Sequence, residues 1–340
     1  MYRRRHPNWP VRFILLTTIL VVAAYLVAPL VFRDSARPLR DYEIIEALTS
    51  RGMTAVLVLW LFALGATIGS FLNVVVYRMP AGETLIWKPS RCPYCRVQIQ
   101  ARDNVPVLGW LMLRGRCRVC RLPISPRYPL VEFVMGSTVL SLATAELLLG
   151  GVNLPNHVNI VPILDQLRTS IAWPVVALFG YHVFLLSTLL VAGLITFDGQ
   201  RVPRRLVVFT VACVLAAPLL WPAIDPFYSH SIERLRWTVA MLRNASIGGA
   251  AGIALGWFFA KALSFSTTVS TSRASVFLFG IVGLTLHLPG LLATTIWAFL
   301  VATLLLIPAF LNRRLARLPY LAPFVACLLF LLTWRWMPGP

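Results

Sequence analysis

Four cysteines in one polar stretch carry the clearest chemistry in this sequence. They form two C-x-x-C pairs, Cys92 with Cys95 and Cys117 with Cys120, and 21 residues separate the pairs. Each pair can place two thiolates on one side of a metal ion, so two pairs complete a tetrahedral site. Because protein sulfurs would fill all four positions, the pattern predicts a structural zinc site. The alternatives are a site without metal and a redox role for the thiols.

The composition around this stretch is that of a membrane protein. Of the 340 residues, 58% are hydrophobic and 13% are charged, and the net charge is +19. Soluble domains carry roughly 25% charged residues. The composition therefore excludes a water-soluble globule, and it also excludes a disordered basic tail, which would be poor in apolar residues. We predict an all-α polytopic membrane protein.

Nine apolar runs are long enough to be predicted as transmembrane helices, which need about 20 residues each. The runs lie at about 12–32, 54–77, 129–150, 172–197, 205–224, 244–264, 274–288, 290–311 and 319–337. Residues 287–290, which contain Pro289 and Gly290, form a tight hairpin signal between two of them. The glycines at 248, 249, 252 and 256 predict a face for close helix packing.

The distribution of arginine predicts how the chain is oriented. The cysteine-containing stretch 78–127 is rich in arginine, so the positive-inside rule places it in the cytoplasm. Thiols stay reduced there, which disfavours disulfides. The N-terminus is then also cytoplasmic, and 12–32 is predicted to be a signal anchor, with a cleaved signal peptide as the alternative. Because the cations lie in loops and not in one basic face, we expect a lipid bilayer as partner and no nucleic acid.

Three parts of the chain follow from these predictions. Residues 1–53 hold the signal-anchor helix and a polar loop, residues 54–133 hold one span with the zinc loop, and residues 134–340 hold the remaining bundle. We identify no internal repeat. His182 is the one ionisable residue that we place well inside a span, and an interhelical hydrogen bond is favoured over catalysis there.

The residues around the cysteines resemble the start of the type IV prepilin peptidases. The matching segments are 69–80 (GSFLNVVVYRMP), the first C-x-x-C pair, 104–111 (NVPVLGWL), 114–117 (RGRC) and 125–132 (SPRYPLVE). The resemblance implies a bacterial inner-membrane enzyme that cleaves the basic leader of type IV pilins and type II secretion pseudopilins. It also implies methylation of the new N-terminus with S-adenosylmethionine, a cofactor that rests on the resemblance alone. The family has eight spans, and this chain adds one before them.

The resemblance implies substrate-binding roles for Asn73, Arg78 and Glu132. The residues themselves allow simpler interpretations. Asn73 can end a helix, and Arg78 can extend its charge to the membrane interface. Glu132 can complement the dipole at a helix N-terminus.

Proteolysis in this family needs two aspartates, one ionised to activate water and one protonated to polarise the scissile carbonyl. The first lies seven residues before a proline, in a region that matches residues 194–206 (LITFDGQRVPRRL). When the family's motif is aligned without gaps on Pro203, its catalytic position falls on Thr196. Asp198 takes that position only if the alignment includes a two-residue deletion. Asp198 is therefore the candidate catalytic residue, and an interfacial residue at a helix end is the alternative.

The family's second aspartate, in a G-x-G-D motif, has no counterpart here. The matching region is 271–280 (TSRASVFLFG), where Ser275 lies near the expected aspartate. The only acids after Asp198 are Asp225 and Glu233, which we place on the other side of the membrane. The sequence therefore argues against ordinary aspartyl proteolysis. One hypothesis is a protein that cleaves or N-methylates pilin-like precursors at the cytoplasmic face, and the other is a catalytically inactive relative that serves as an assembly scaffold.

Overall fold

The computed structural model describes residues 41–87, 89–154, 173–225, 233–264, 272–311 and 317–336. The described residues are helical and contain no β-strand beyond two isolated β-bridges. The all-α prediction is therefore confirmed for them. The α-helices are α1 (Asp41–Arg78), α2 (Leu108–Met112), α3 (Arg127–Ala143), α4 (Trp173–Phe197), α5 (Arg204–Leu220), α6 (Arg234–Ser264), α7 (Ser272–Leu311) and α8 (Ala322–Thr333). A π-helical turn, Thr144–Leu148, extends α3.

Five helices in the described part of the chain are long and apolar enough to cross a membrane. They are Leu48–Arg78, Arg127–Leu148, Trp173–Phe197, Arg234–Ala262 and Arg273–Ile307. The predicted count of nine spans is not confirmed. The first predicted span, 12–32, lies outside the described residues, α5 has only 17 residues, and the apolar helix Leu318–Thr333 is also short. The two runs predicted at 274–288 and 290–311 fall within the last of these helices, Arg273–Ile307, which is interrupted at His287.

The chain packs as two compact units. The first contains the described residues up to Ser70 together with Ile86–Leu140, and the second contains Phe71–Leu85 and the described residues from Ser141 onward.

Close contact between α1 and α3 organises the first unit. A methyl group on Gly65 would lie 2.7 Å from the carbonyl oxygen of Met135, and one on Gly69 would lie 2.8 Å from the Cα atom of Glu132. On α3, a methyl group on Gly136 would lie 2.8 Å from the Phe62 ring. Glycines spaced four residues apart let two helix backbones approach this closely. The contact places the backbone of Glu132 beside Gly69 of α1.

The second unit is built around α6 and α7, which pack through the glycine face that the sequence predicts. A methyl group on Gly252 would lie 2.7 Å from the carbonyl carbon of Phe279, and one on Gly256 would lie 2.7 Å from the Cα atom of Val276. The contacts are between backbones, so neither side of this seam can move aside by a rotamer change.

Helix α7 is two helices, with a reversal where the sequence predicts a hairpin. His287 has non-helical torsion angles, with φ 55° and ψ −169°. The ring of Phe259 lies 4.9 Å from that of Phe279 and 5.0 Å from that of Phe299. Twenty residues of straight helix would separate those two partners by about 30 Å. The chain therefore turns back at His287.

We expect Gly252→Ala to destabilise the second unit by about 1–3 kcal/mol, because the added methyl meets backbone atoms and overpacks the seam. Gly180→Ala in α4 is the matched control, since no atom lies within 4 Å of a methyl group there. It should leave stability unchanged or slightly raised, because alanine favours helix over glycine. Unfolding in mixed detergent micelles, followed by circular dichroism, measures both. Equal losses in the two variants would contradict the close packing of α6 and α7.

Candidate functional site

The four predicted metal ligands come together in the segment between α1 and α3, which we call the metal module (residues 86–126). Their sulfur atoms all lie within 4.8 Å of one another. Cys92 Sγ lies 3.8 Å from Cys120 Sγ, and Cys95 Sγ lies 3.9 Å from Cys117 Sγ. Zinc–sulfur bonds of about 2.3 Å in a tetrahedron place neighbouring sulfurs about 3.8 Å apart. None of the four forms a disulfide. The cluster therefore has the geometry of a four-sulfur metal site.

Two copies of one small motif supply these sulfurs. We call them knuckle 1 (residues 90–99, SRCPYCRVQI) and knuckle 2 (residues 115–124, GRCRVCRLPI). They are offset by 25 residues and share five of ten positions. The knuckles are thus a short local repeat that the sequence analysis did not identify. Sequence reasoning missed the repeat because each copy is short and two of the five identities are the cysteines themselves.

The backbones of the two knuckles match in detail. In knuckle 1 the Cys92 N–H donates to the Val97 carbonyl at 3.0 Å, and in knuckle 2 the Cys117 N–H donates to the Leu122 carbonyl at 2.9 Å. Arg96 and Arg121, each directly after the second cysteine, have left-handed φ values of 55° and 62°. In knuckle 2, backbone N–H groups point toward the sulfurs of Cys117 and Cys120. Arg91 pairs with Gln98, and Arg116 with Pro123, as isolated β-bridges.

Two of the thiols have pKa values on opposite sides of neutrality. Backbone N–H groups of Cys120 and Val119 donate to the Cys117 sulfur and lower its pKa to about 6. At Cys120 the Leu122 N–H also lowers the pKa, but burial and the neighbouring thiols outweigh it and raise the pKa to about 11. Metal binding requires thiolates. Cys117 is thus already ionised at pH 7, whereas Cys120 must release a proton, so metal affinity rises with pH.

An ion pair and a tryptophan join the segment between the knuckles to knuckle 2. Arg118 binds Asp103 through two hydrogen bonds, of 2.7 Å from Nε and 2.5 Å from Nη2. The hydrogen bonds from this guanidinium hold the pKa of Asp103 below its usual value. Trp110 Nε1 donates to the Ile124 carbonyl at 3.0 Å, and its ring covers Gly115, which has a φ of 64°. These contacts restrict the loop even though it contains little regular structure.

Glu132, a predicted substrate-binding residue, fastens the metal module to α3. Its carboxylate Oε2 accepts a hydrogen bond of 2.6 Å from the Val107 N–H. The Ser70 side chain also hydrogen-bonds to this carboxylate. Glu132 is 9% exposed. The contacts assign it a positioning role, and its substrate-binding role stays a prediction.

Asn73 and Arg78 lie in the last turns of α1. Asn73 is buried, and Arg78 is the last residue of the helix. Arg78 Nη1 donates to the Thr84 carbonyl at 3.3 Å, which closes the turn that follows the helix. Substrate binding by these two residues stays a prediction.

Asp198 is exposed and lies one residue beyond the end of α4. Its N–H donates to the Leu194 carbonyl at 3.0 Å. The Arg317 guanidinium packs against the next residue, Gly199, and donates to the Phe197 carbonyl at 3.5 Å. The turn that carries Asp198 therefore contacts a cation at the negative end of the α4 dipole.

Ser275 lies inside the α6–α7 seam. It is 1% exposed, and its carbonyl packs against Gly256. Its Oγ atom has no hydrogen-bond partner among the described residues. The side chain near the position expected for the second aspartate is therefore a neutral hydroxyl, and it is enclosed by helix packing.

Asp225 lies near the first half of α4, away from Asp198. It interacts electrostatically with Tyr181 and His287. Tyr181 precedes Asp198 by seventeen residues, which corresponds to about 25 Å along a helix. Asp225 thus cannot serve as the second carboxylate beside Asp198.

A buried polar cluster contains a residue that sequence reasoning missed. His182 Nδ1 lies 2.7 Å from Glu146 Oε1, and the two side chains are 1% and 0% exposed. Asn153 Nδ2 donates to the Leu331 carbonyl at 2.8 Å and lies 3.4 Å from Glu146 Oε1. The predicted interhelical hydrogen bond of His182 is confirmed. The signal for its partner was a single carboxylate in the apolar run 129–150, since charges within spans are costly and seldom incidental.

Comparisons with known proteins agree with this arrangement. The family model "Bacterial Peptidase A24 N-terminal domain" matches residues 63–145. The prepilin leader peptidase/N-methyltransferase of Klebsiella pneumoniae is 34% identical over 204 residues, which cover 58% of this chain and 71% of the relative. That of Myxococcus xanthus is 51% identical over 77 residues, or 23% of each chain. The type 4 prepilin-like proteins leader peptide-processing enzyme of Escherichia coli is 45% identical over 101 residues, covering 24% of this chain and 36% of the relative.

These matches define a membrane protein with the N-terminal region of a bacterial A24 peptidase. The chain belongs to the prepilin leader peptidase/N-methyltransferase family. It spans 23% to 71% of the length of the three relatives named above. No solved structure matches the chain.

Proposed function

We propose that this protein acts on precursors of type IV pilins or type II secretion pseudopilins, and that N-methylation, not aspartyl cleavage, is the activity its residues permit. One contrast supports the proposal. The four-sulfur module in the best-matched region has complete ligand geometry, whereas Ser275, near the expected second aspartate, is enclosed in a helix seam. A neutral hydroxyl cannot share a proton with Asp198 as a second carboxylate would.

The metal of the module is zinc, and its role is structural. Cys92, Cys95, Cys117 and Cys120 would hold it, and their sulfur separations suit a tetrahedral ion. Four protein ligands leave no open coordination position for substrate. S-adenosylmethionine would supply the methyl group, and we assign none of the described residues to its binding.

The protein resides in the bacterial inner membrane as a multi-pass chain with its N-terminus and metal module in the cytoplasm. The arginine-rich loop supports this orientation through the positive-inside rule. Asn73, Arg78 and Glu132 would then lie toward the cytoplasmic face, where the leader of a precursor would be bound.

A second candidate function is an inactive assembly scaffold. Two observations favour it: Ser275 supplies no carboxylate, and Arg317 contacts the turn that carries Asp198. A scaffold would bind precursor helices without any covalent step.

The test uses the full chain in nanodiscs with two substrates, an intact pilin-like precursor and the same protein with its leader already removed. Radiolabelled S-adenosylmethionine reports methyl transfer, and mass spectrometry reports cleavage. We expect methylation of the free N-terminus and no cleavage of the precursor. Cleavage that disappears in Asp198→Ala would overturn the proposal and identify a working peptidase. Photo-crosslinking of the precursor with neither reaction would establish the scaffold instead.

A further inference from the structure

The metal module exposes apolar side chains at equivalent positions of its two knuckles. Tyr94 and Val119, each directly before the second cysteine of its pair, are 61% and 59% exposed. Val97 and Leu122, two residues after that cysteine, are also exposed. Because the knuckles are repeats, the same kind of surface is presented twice around one metal centre.

Arginines flank each of these apolar residues. Arg91 and Arg96 border the cysteine pair of knuckle 1, and Arg116 and Arg121 border that of knuckle 2, and all four are exposed. Residues 86–126 contain eight Lys or Arg and one acid, a net charge of +7. The one acid, Asp103, is paired with Arg118. Four thiolates and a divalent ion would still leave the module strongly positive.

The module is tethered close to the membrane surface. Knuckle 2 ends three residues before Arg127, where α3 and its candidate membrane span begin. Three extended residues reach about 10 Å at most. The middle of the module is held as well, because Val107 donates its N–H to Glu132, which lies five residues into the span. Two points of the module are therefore held close to the start of this candidate membrane span.

We infer that the two knuckles dock on anionic lipid headgroups of the bilayer that the chain spans, with Tyr94 and Val119 inserted at the boundary of the acyl chains. Apolar side chains beside arginines are the chemistry of interfacial membrane binding, in which lipid phosphates pair with the cations. A precursor with a basic leader would be repelled by the same surface. The inference concerns lipid contact and goes beyond the proposed function.

Photo-crosslinking to lipid tests the inference. The full chain is placed in nanodiscs of phosphatidylcholine, alone or mixed with phosphatidylglycerol, and a trace of each lipid carries a diazirine near its headgroup. Mass spectrometry maps the crosslinks. We expect crosslinks in residues 90–99 and 115–124 that increase several-fold with phosphatidylglycerol. They should fall at high salt, because salt screens the attraction.

The double variant Tyr94→Ser/Val119→Ser should lose most of these crosslinks, and Tyr94→Phe/Val119→Leu should keep them. Zinc content, measured on each variant, reports whether the metal site has formed. If neither variant binds zinc, the inference is tested on the unchanged protein alone, by whether its crosslinks increase with phosphatidylglycerol and fall at high salt. Crosslinks confined to the membrane helices, or equal in both lipid mixtures, would overturn the inference. So would protection of the knuckles from hydrogen exchange that arises only when a pilin-like precursor is added.

Discussion

The double variant Cys92→Ser/Cys117→Ser will lose its metal and unfold residues 86–126. Among the described residues of this module, the only buried hydrophobic side chains are those two cysteines. Burial of apolar surface is the usual source of folding free energy, and here a bound metal would have to supply it. Structural zinc contributes about 10–16 kcal/mol in zinc-finger peptides. We therefore expect loss of the bound metal by elemental analysis and fast hydrogen exchange across 86–126.

Cys213→Ser is the matched control, because this half-buried cysteine lies in α5 and belongs to no metal cluster among the described residues. It should keep full metal content and slow exchange in the module. The membrane helices of the double variant should retain their circular dichroism, since their packing contacts do not involve the four sulfurs. Full zinc occupancy without Cys92 and Cys117 would refute the site.

Local patterns explain what the sequence predicts well. The C-x-x-C spacing fixes two sulfurs within one turn, so the four ligands can be named without knowing the fold. The break at His287 is signalled by the nearby Pro289 and Gly290, a pair that is typical of turns. The glycine face of α6 is likewise visible, because its spacing follows the helical period.

Contacts between distant residues explain what the sequence leaves open. Glu146 and His182 are 36 residues apart on different helices, and nothing in either local segment indicates the other. The burial of Ser275 depends on how closely Gly256 of the neighbouring helix approaches. The number of spans also depends on packing, since α5 and α8 are shorter helices than their apolar runs suggest.

Loss of the second aspartate changes what Asp198 can do. A carboxylate pair splits its two pKa values because like charges at short distance cannot both ionise. Ser275 lies near the position expected for that partner, and Arg317 contacts the turn that carries Asp198. A neutral hydroxyl at Ser275 cannot share a proton with Asp198, so the pair that aspartyl proteolysis needs is not formed by these two residues.

Glu146→Leu will destabilise the second unit by about 1–3 kcal/mol, the cost of leaving a buried hydrogen-bonding group without its partner. The change leaves His182 Nδ1 without its carboxylate in a site that is 1% exposed. It also leaves Asn153 with only the Leu331 carbonyl as acceptor. Glu146→Gln, which keeps an acceptor oxygen at nearly the same place, should cost clearly less.

The decisive measurement is a double-mutant cycle with His182→Leu, since two apolar partners leave no unpaired polar group between α4 and the π-helical turn. Replacing a buried pair by hydrophobic residues is often neutral. We therefore expect Glu146→Leu/His182→Leu to be more stable than either single variant when the chain is unfolded in mixed micelles. Losses that simply add would show that Glu146 and His182 do not interact, and that each is held by separate contacts.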